Sequence, residues 1–219
     1  MRSSTCRSTY TDESLSEQYH LGELEVAQDP LHPAHILPPP VPAGSRVLDV
    51  GCGAGQTLIA AYGHQLTFGI DIDLSALRLG QTLTKDVAFV CSKAEALPFR
   101  PGEFDLVTAR VSLAYTDIRR SLKEIRRVLK PRGLLWMTLH PFAIPWEQVK
   151  TSGWKGKPFF VYVVLNSALF HLTQRQFPFL GKYESFQTEG GIRRALQRCG
   201  FNDVTTRKDR HFLVTARSV

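Results

Sequence analysis

Short apolar runs alternate with amphipathic segments along the middle of the chain. The runs are short enough for buried strands, and they lie at 47–50, 66–70, 87–91, 104–109 and 134–139. Apolar residues recur at helical spacing over 74–84 and again from Ile118 to Leu129. Strands that alternate with helices predict an α/β domain built on a parallel sheet.

The end of the chain returns to the same regular pattern. An amphipathic helix is predicted over 190–198, with Gly200 as its cap, and strands are predicted at 204–206 and 212–216. A length of 219 residues is typical of one α/β domain. We therefore divide the chain into an N-terminal arm, a core, an insert and a C-terminal helix with a β-hairpin that completes the core. These segments are 1–45, 46–140, 141–186 and 187–219.

Three alternating glycines follow the first strand and precede a segment that starts like a helix. Glycine permits positive φ and lets a ligand approach the backbone, and a helix N-terminus presents free N–H groups. The pattern predicts a small-molecule site at the carboxyl end of the strand. A dinucleotide site would need a third glycine where Gln56 stands, and Asp49 would repel a pyrophosphate. We expect a ligand with a positive group and no phosphate.

The segment from Asp49 to Gly55 resembles the first motif of class I S-adenosylmethionine (AdoMet) methyltransferases, Asp/Glu-x-Gly-x-Gly-x-Gly. The stretch 69–73 resembles their second motif. By that resemblance Asp71 binds the ribose and Ile72 packs on adenine, whereas Asp73 is expected to be the N-cap of the next helix. A carboxylate about 20 residues past the first glycine can accept both ribose hydroxyls. The implied cofactor is AdoMet, with S-adenosylhomocysteine as product.

The stretch 92–99 is similar to the Gly-Asp-Ala-Glu-x-Leu-Pro-Phe segment of the family that includes ubiquinone and menaquinone methyltransferases. Lys93 replaces the aspartate that contacts the adenine amino group in that family, so Ala94 and Glu95 are kept as adenine-binding candidates. The resemblance covers 46–140 and implies a doubly wound, mostly parallel seven-stranded sheet with an antiparallel last strand. The cofactor-binding candidates are Asp49, Gly51, Cys52, Gly53, Gly55, Asp71, Ile72, Ala94, Glu95 and Arg110.

Two residues are candidates for a role in the reaction itself. Many relatives carry a His-His pair after strand four, where this chain has Ala114-Tyr115, so a histidine mechanism at that place is excluded. Tyr115 either orients a substrate or is an ordinary packed tyrosine. His140, at the end of strand five, is either a general base or a structural histidine. No Asn/Asp-Pro-Pro-Tyr motif follows strand four, which argues against a nucleobase amino group as methyl acceptor.

The insert 141–186 is too long for a bare connection and is rich in aromatic residues. Its apolar stretch, 159–172, is compatible with a helix but too short and interrupted for a transmembrane span. Three interpretations stay open: ordinary core or a dimer face, a lid over a hydrophobic substrate pocket, or an element that lies on a membrane surface. The candidate lid residues are Trp146, Tyr162, His171 and Tyr183.

Charge leaves the kind of partner open. The net charge is +7, and one face of the helix that starts at Ile118 is strongly basic. A nucleic-acid interface is one interpretation, but we expect a solvated face, which consists of Arg119, Arg120, Lys123, Arg126 and Arg127. The four cysteines are scattered, suggest neither a disulfide framework nor a zinc site, and fit a reducing cytosol. We predict no metal, a cytoplasmic monomer or homodimer, and no nucleic-acid or membrane partner.

The N-terminal arm is predicted to be an irregular, proline-containing approach to the first strand. It either folds over the cofactor, with Tyr19 and His20 nearest the methyl group, or forms a mobile surface arm. The function predicted for the whole chain is AdoMet-dependent methyl transfer to a small, apolar or aromatic molecule. The alternatives are an RNA methyltransferase that uses the basic 119–132 face and a catalytically silent AdoMet-binding protein.

Overall fold

The computed structural model describes residues 13–63, 65–139 and 143–219, with the backbone alone at 13 and 143–157. Seven strands form one sheet in the order β3-β2-β1-β4-β5-β7-β6. The strands are β1 (Val47–Val50), β2 (Thr67–Asp71), β3 (Val87–Cys91), β4 (Phe104–Arg110), β5 (Leu129–Leu139), β6 (Phe201–Lys208) and β7 (Phe212–Ser218). The pairs among β1 to β5 are parallel, and β7 lies antiparallel between β5 and β6. The predicted α/β sheet is confirmed.

Helices cover the sheet on both sides. They are α1 (Glu13–Gln28), α2 (Gln56–Tyr62), α3 (Leu74–Leu83), α4 (Ile118–Val128), α5 (Ala143–Thr173) and α6 (Glu189–Arg198), with a 3-10 helix at Ser112–Tyr115. Neighbouring strand residues enter different core clusters: Val47 packs with Leu58 of α2, whereas Leu48 joins the cluster that contains Ile125 of α4. Alternate side chains point to opposite faces of a strand, so both faces of this sheet are buried.

The N-terminal arm differs from the prediction, because residues 13–28 form the helix α1. This helix packs against α2 and α3. Its sequence carries no clear apolar stripe, and its two most buried polar positions, Ser16 and His20, read as solvent-facing residues. The irregular approach predicted from the prolines follows it over 29–46, where Tyr62 Oη donates to the Pro39 carbonyl at 2.7 Å.

Strand β5 begins earlier than predicted, at Leu129 instead of 134. Leu129 pairs with Phe104, but the next paired residue of β5 is Leu134, so residues 130–133 loop out of the ladder. Arg132 lies in this loop at a φ of 63°. It occupies the position where the family that the sequence resembles has a glycine, and it adopts the left-handed conformation that glycine reaches without strain.

Helix α5 is longer than the predicted 159–172 and contains Pro158 within it. Its described part buries Val163 and Phe170 and packs against α6. Within the described ranges, no helix has both the length and the apolar character needed to cross a bilayer.

Two helical glycines provide a matched test of this packing. A Cβ on Gly80 in α3 would lie 2.8 Å from the Ala54 carbonyl oxygen, whereas a Cβ on Gly22 in α1 would meet nothing within 4 Å. We expect Gly80→Ala to destabilise the protein by about 1–2 kcal/mol, because a backbone carbonyl cannot move away cheaply. Gly22→Ala should stabilise it by about 0.5–1 kcal/mol through helix propensity alone. Urea unfolding measures both, and equal effects would contradict the packing described here.

Candidate functional site

The glycine loop joins β1 to α2 at the carboxyl end of the sheet. Gly51, Gly53 and Gly55 have φ values of 76°, 54° and 85°, which is the left-handed region. The N–H groups of Gly51 and Cys52 both donate to the Ile70 carbonyl of β2, at 2.8 and 2.9 Å. The loop is therefore fastened to the neighbouring strand and turns away from the sheet at a fixed point.

Close neighbours leave no room for a side chain at any of the three glycines, and at Gly55 a Cβ would lie 2.9 Å from Cζ of Phe89 on β3. A Cβ on Gly51 would lie 2.2 Å from the Cβ of Ser112, which follows β4. A Cβ on Gly53 would lie 2.8 Å from Cε1 of His20, on α1. The loop thus lies between the segment after β4 and the N-terminal helix, and together these elements enclose the predicted site.

Asp71 ends β2 and is held by two backbone groups. Its Oδ2 accepts from the Gly53 N–H at 2.8 Å, and its Oδ1 accepts from the Asp73 N–H at 2.9 Å. A carboxylate has about four acceptor directions, so two are left for other donors. This arrangement is suited to a vicinal diol such as a ribose. Asp73 caps α3 by accepting from Ser75 N–H at 2.9 Å, as predicted.

Asp49 lies within β1, 1 % exposed, beneath the loop. Its Oδ1 accepts from Thr108 Oγ1 at 2.7 Å. Burial raises the pKa of Asp49 to about 6, while the Thr108 hydrogen bond and the positive charge of Arg110 pull this pKa down. Arg110, at the end of β4, forms an ion pair with Glu23 of α1 at 2.5 Å. A cation above this carboxylate would favour its ionised form.

Cys52 faces away from the predicted cofactor position. Its Sγ lies 2.7 Å from the place where a Cβ on Gly69 would be, so the thiol points at β2. Its N–H donates to Ile70 and its carbonyl accepts from Gly55 N–H at 2.8 Å. Cys52 therefore shapes the loop, and a direct contact to the cofactor stays a prediction. Cys91 is disulfide-bonded, so the expectation of a reduced thiol is wrong at this position.

The three candidates for adenine binding differ in their surroundings. Ile72 is 45 % exposed and offers an apolar surface directly after Asp71. Ala94 is buried in the core cluster. Glu95 Oε1 accepts from the Asp117 N–H at 2.8 Å, so this carboxylate holds the start of α4. The roles of all three toward adenine stay predictions.

The segment 174–187, which follows α5, returns along that helix to the end of β4; we call it the returning segment. Polar residues of α5 hold it in place. Tyr162 Oη donates to the Phe177 and Lys182 carbonyls at 3.0 and 3.1 Å. Asn166 Oδ1 accepts from the Phe177 N–H, and Ser167 Oγ accepts from the Phe186 N–H. The polar residues that interrupt the apolar stretch are therefore satisfied within the fold.

The returning segment contacts the residues that directly follow β4. The Ser185 N–H donates to the Ala114 carbonyl at 3.3 Å, and Gln176 Oε1 accepts from the Ile118 N–H at 3.0 Å. Burial raises the pKa of Tyr183, and the negative charges of Asp117 and Glu95 raise it further. Tyr183 therefore lies near the carboxylates of Asp117 and Glu95, at the start of α4.

The other residues that were predicted to form the lid or to act in catalysis lie in separate parts of the chain. His171 Nδ1 bonds to Thr188 Oγ1, the N-cap of α6, so it fastens the start of that helix. Tyr115 is 51 % exposed at the end of the 3-10 helix after β4. His140 and the side chain of Trp146 lie outside the described residues.

The basic face of α4 is only partly solvated. Arg127 bonds to Glu124 and to the Phe99 and Leu97 carbonyls, and Arg126 bonds to the Gly200 carbonyl, so both are structural. The other three cations line an open cavity of about 430 Å³, whose lining residues are Asp117, Arg119, Arg120, Lys123, Gln174, Arg175 and Gln176. The expectation of one solvated face is thus wrong for two of five residues.

The donor set fits AdoMet better than a phosphate-bearing cofactor. Asp71 offers acceptors for a diol, Asp49 offers a buried negative charge for a cation, and the glycines leave space for close approach. Among the described residues, no group of three or more histidine, cysteine or acidic side chains could hold a metal ion. The sequence did not predict the roles of two residues of the site. Gln56 bonds to His20, and Ser112 packs on Gly51.

Comparison with known proteins agrees with this geometry. A methyltransferase domain model matches residues 48–137. The chain is 30 % identical over 179 residues to the demethylmenaquinone methyltransferase of Staphylococcus saprophyticus, covering 76 % of this chain and 74 % of that protein. It is 37 % identical over 105 residues to the ubiquinone/menaquinone biosynthesis C-methyltransferase UbiE of Shewanella frigidimarina, covering 42 % and 41 %.

A solved methyltransferase has the same fold. The AdoMet-dependent methyltransferase of Methanosarcina mazei superposes with a TM-score of 0.55 at 22 % identity, covering 82 % of this chain and 94 % of that one. The fold and the loop define a class I AdoMet-dependent methyltransferase. The chain belongs to the methyltransferase family that includes the demethylmenaquinone methyltransferases, and its cofactor is S-adenosylmethionine.

Asp71 gives the first test of the site. If it accepts hydrogen bonds from the ribose, Asp71→Asn should weaken binding of S-adenosylhomocysteine at least about tenfold, because charge-assisted bonds contribute about 1.5–3 kcal/mol each. The asparagine keeps one acceptor for the loop, so the fold should survive. Asp73→Asn is the matched control, since asparagine caps helices as well as aspartate. Calorimetric titration measures both, and unchanged affinity in Asp71→Asn would place the ribose elsewhere.

Asp49 predicts a pH dependence of stability. Its folded pKa of about 6 lies above the ordinary aspartate value of 3.8, so the folded state holds the proton more tightly than the unfolded state does. The stability that this group contributes is present below about pH 4 and is lost as pH rises through about 6. The free energy of unfolding of Asp49→Asn, taken relative to that of wild type, should therefore increase by about 2 kcal/mol as the pH rises from 4.5 to 7.5. Urea unfolding across this range checks the gain, and a pH-independent difference would argue against a buried titrating carboxyl.

Proposed function

We propose that this methyltransferase acts on a small, apolar, aromatic acceptor that binds between the end of β4 and the returning segment. The observation that carries the proposal is the contact of the aromatic returning segment with the residues after β4. Ligands of parallel α/β sheets bind outside the carboxyl ends of the strands, so this contact lies where an acceptor has to approach the cofactor.

Half-exposed aromatic side chains occur on both of the segments that make this contact. Tyr115 follows β4, and Phe177 and Phe179 are 43 % and 46 % exposed on the returning segment. Pockets for small molecules are mostly apolar with a few placed polar groups, which fits an aromatic segment that also carries the Tyr183 hydroxyl. The names of the relatives mention demethylmenaquinone and ubiquinone, which supports a quinone-like acceptor.

The chemical demands on the protein are modest. AdoMet supplies an electrophilic methyl group, so the chain has to bind both reactants, align them and exclude water. The raised pKa of Tyr183 keeps its hydroxyl protonated at neutral pH, so Tyr183 serves as a hydrogen-bond donor to an acceptor oxygen and not as a base. His140 stays the candidate for a general base.

An RNA acceptor is the second candidate, and one observation favours it. Arg119, Arg120 and Lys123 line the open cavity beside the start of α4, together with Arg175. A cluster of cations next to the mouth of the site attracts phosphates. The aromatic surroundings favour the small molecule, because stacking and burial of an aromatic ring need no charge.

Labelled AdoMet separates the two candidates. Purified protein is incubated with a naphthoquinol that lacks the ring methyl group and, separately, with total RNA. We expect transfer to the naphthoquinol, a KM at least about tenfold higher in Tyr183→Ala, and unchanged S-adenosylhomocysteine binding in that variant. The double variant Arg119→Ala, Lys123→Ala should leave this transfer intact. Transfer to RNA alone, abolished by the double variant, would replace the first candidate by the second.

A further inference from the structure

Helix α1 buries two polar side chains one helical turn apart, and each of them has one polar atom without a hydrogen-bond partner among the described residues. Ser16 and His20 are 2 % and 7 % exposed. Ser16 Oγ and His20 Nε2 are buried and have no hydrogen-bond partner among the residues that the structure describes. Buried polar atoms in folded proteins are nearly always bonded to protein, water or ligand. Two such atoms on the same helix face indicate a polar ligand below α1.

The proton on the His20 ring is fixed by Gln56. Gln56 Nε2 lies 2.8 Å from His20 Nδ1 and 3.3 Å from the His20 carbonyl oxygen. The carbonyl only accepts, so the amide group that faces it is the NH2 end, which also donates to Nδ1. Burial lowers the pKa of His20, although Asp71, Asp73 and Glu23 oppose this effect. The ring is therefore neutral, and its Nε2 carries the hydrogen.

The ring lies at the cofactor loop. A Cβ on Gly53 would touch His20 Cε1, and the N–H of the same glycine donates to Asp71. The site thus offers a group that only donates, His20 Nε2–H, close to a group that only accepts, the Asp71 carboxylate. A hydroxyl can accept from the first and donate to the second.

We propose that His20 is a cofactor-binding residue, whose Nε2–H donates to a ribose hydroxyl of AdoMet that in turn donates to Asp71. Ser16 Oγ is a second polar group on the same face for the same ligand. The Arg110–Glu23 ion pair holds α1 against β4 one turn further along, so the helix is kept over the loop from two sides. The proposal rests on the cofactor of the family and not on the proposed acceptor.

Binding measurements test the proposal without methyl transfer. His20→Phe keeps the size and removes the donor, so affinity for S-adenosylhomocysteine should fall about tenfold, the value of one hydrogen bond to a well-placed partner. His20→Gln, which restores an N–H donor, should recover part of the loss. Gln18→Ala, an exposed position on the same helix, is the matched control and should bind like wild type.

Deoxy analogues locate the contact. The 2′-deoxy and 3′-deoxy forms of S-adenosylhomocysteine are titrated into wild type and into His20→Phe. One of the two forms should bind both proteins with almost equal affinity, because the hydroxyl that it lacks is the partner of His20. Equal losses for all three ligands, or wild-type affinity in His20→Phe, would overturn the proposal.

A second readout uses the unaltered protein and does not depend on how a variant folds. Proton and nitrogen NMR of the imidazole should show the Nε2–H tautomer of His20, with a shifted and more exchange-protected Nε2–H signal once S-adenosylhomocysteine is added. An unchanged signal in the saturated complex would contradict the contact. Failure of the naphthoquinol experiment would leave this result untouched, so the two proposals fail separately.

Discussion

The hydrogen bond between the Gly53 N–H and the Asp71 carboxylate is the contact on which the site depends. It ties the loop after β1 to the end of β2, two strands whose pairing is already fixed by the register of Val50 with Ile70. The same loop also donates two hydrogen bonds to the Ile70 carbonyl oxygen of β2. His20 then lies against Gly53 and Ser112 against Gly51, so the fastened loop is in contact with α1 and with the segment after β4.

Local sequence signals predicted the frame of the fold and the centre of the site. The apolar strand runs, the alternating glycines, Asp71 and the N-cap Asp73 each act within a few residues, so a pattern reveals them. Contacts between residues that lie far apart in the sequence produce no local pattern of this kind. His20 and Gln56 lie 36 positions apart, and a polar helix with no apolar stripe gives no sign of where it packs.

The aromatic insert shows why composition alone left three interpretations open. Asn166 and Ser167 interrupt an apolar stretch, and this interruption argued against a transmembrane span. In the structure their side chains satisfy the backbone N–H groups of Phe177 and Phe186. Helix α5 and the returning segment are therefore joined by hydrogen bonds, and the polar residues that argued against a transmembrane span hold the two together.

The ion pair between Glu23 and Arg110 also bears on the order in which the protein folds. Helix α1 precedes its partners in the chain, which are α2, α3 and the end of β4. An isolated helix of this length is marginal in water, because its stability comes from packing. Helix α1 therefore has to wait until β4 has been synthesised before it can complete these contacts, and it docks on elements that lie later in the chain.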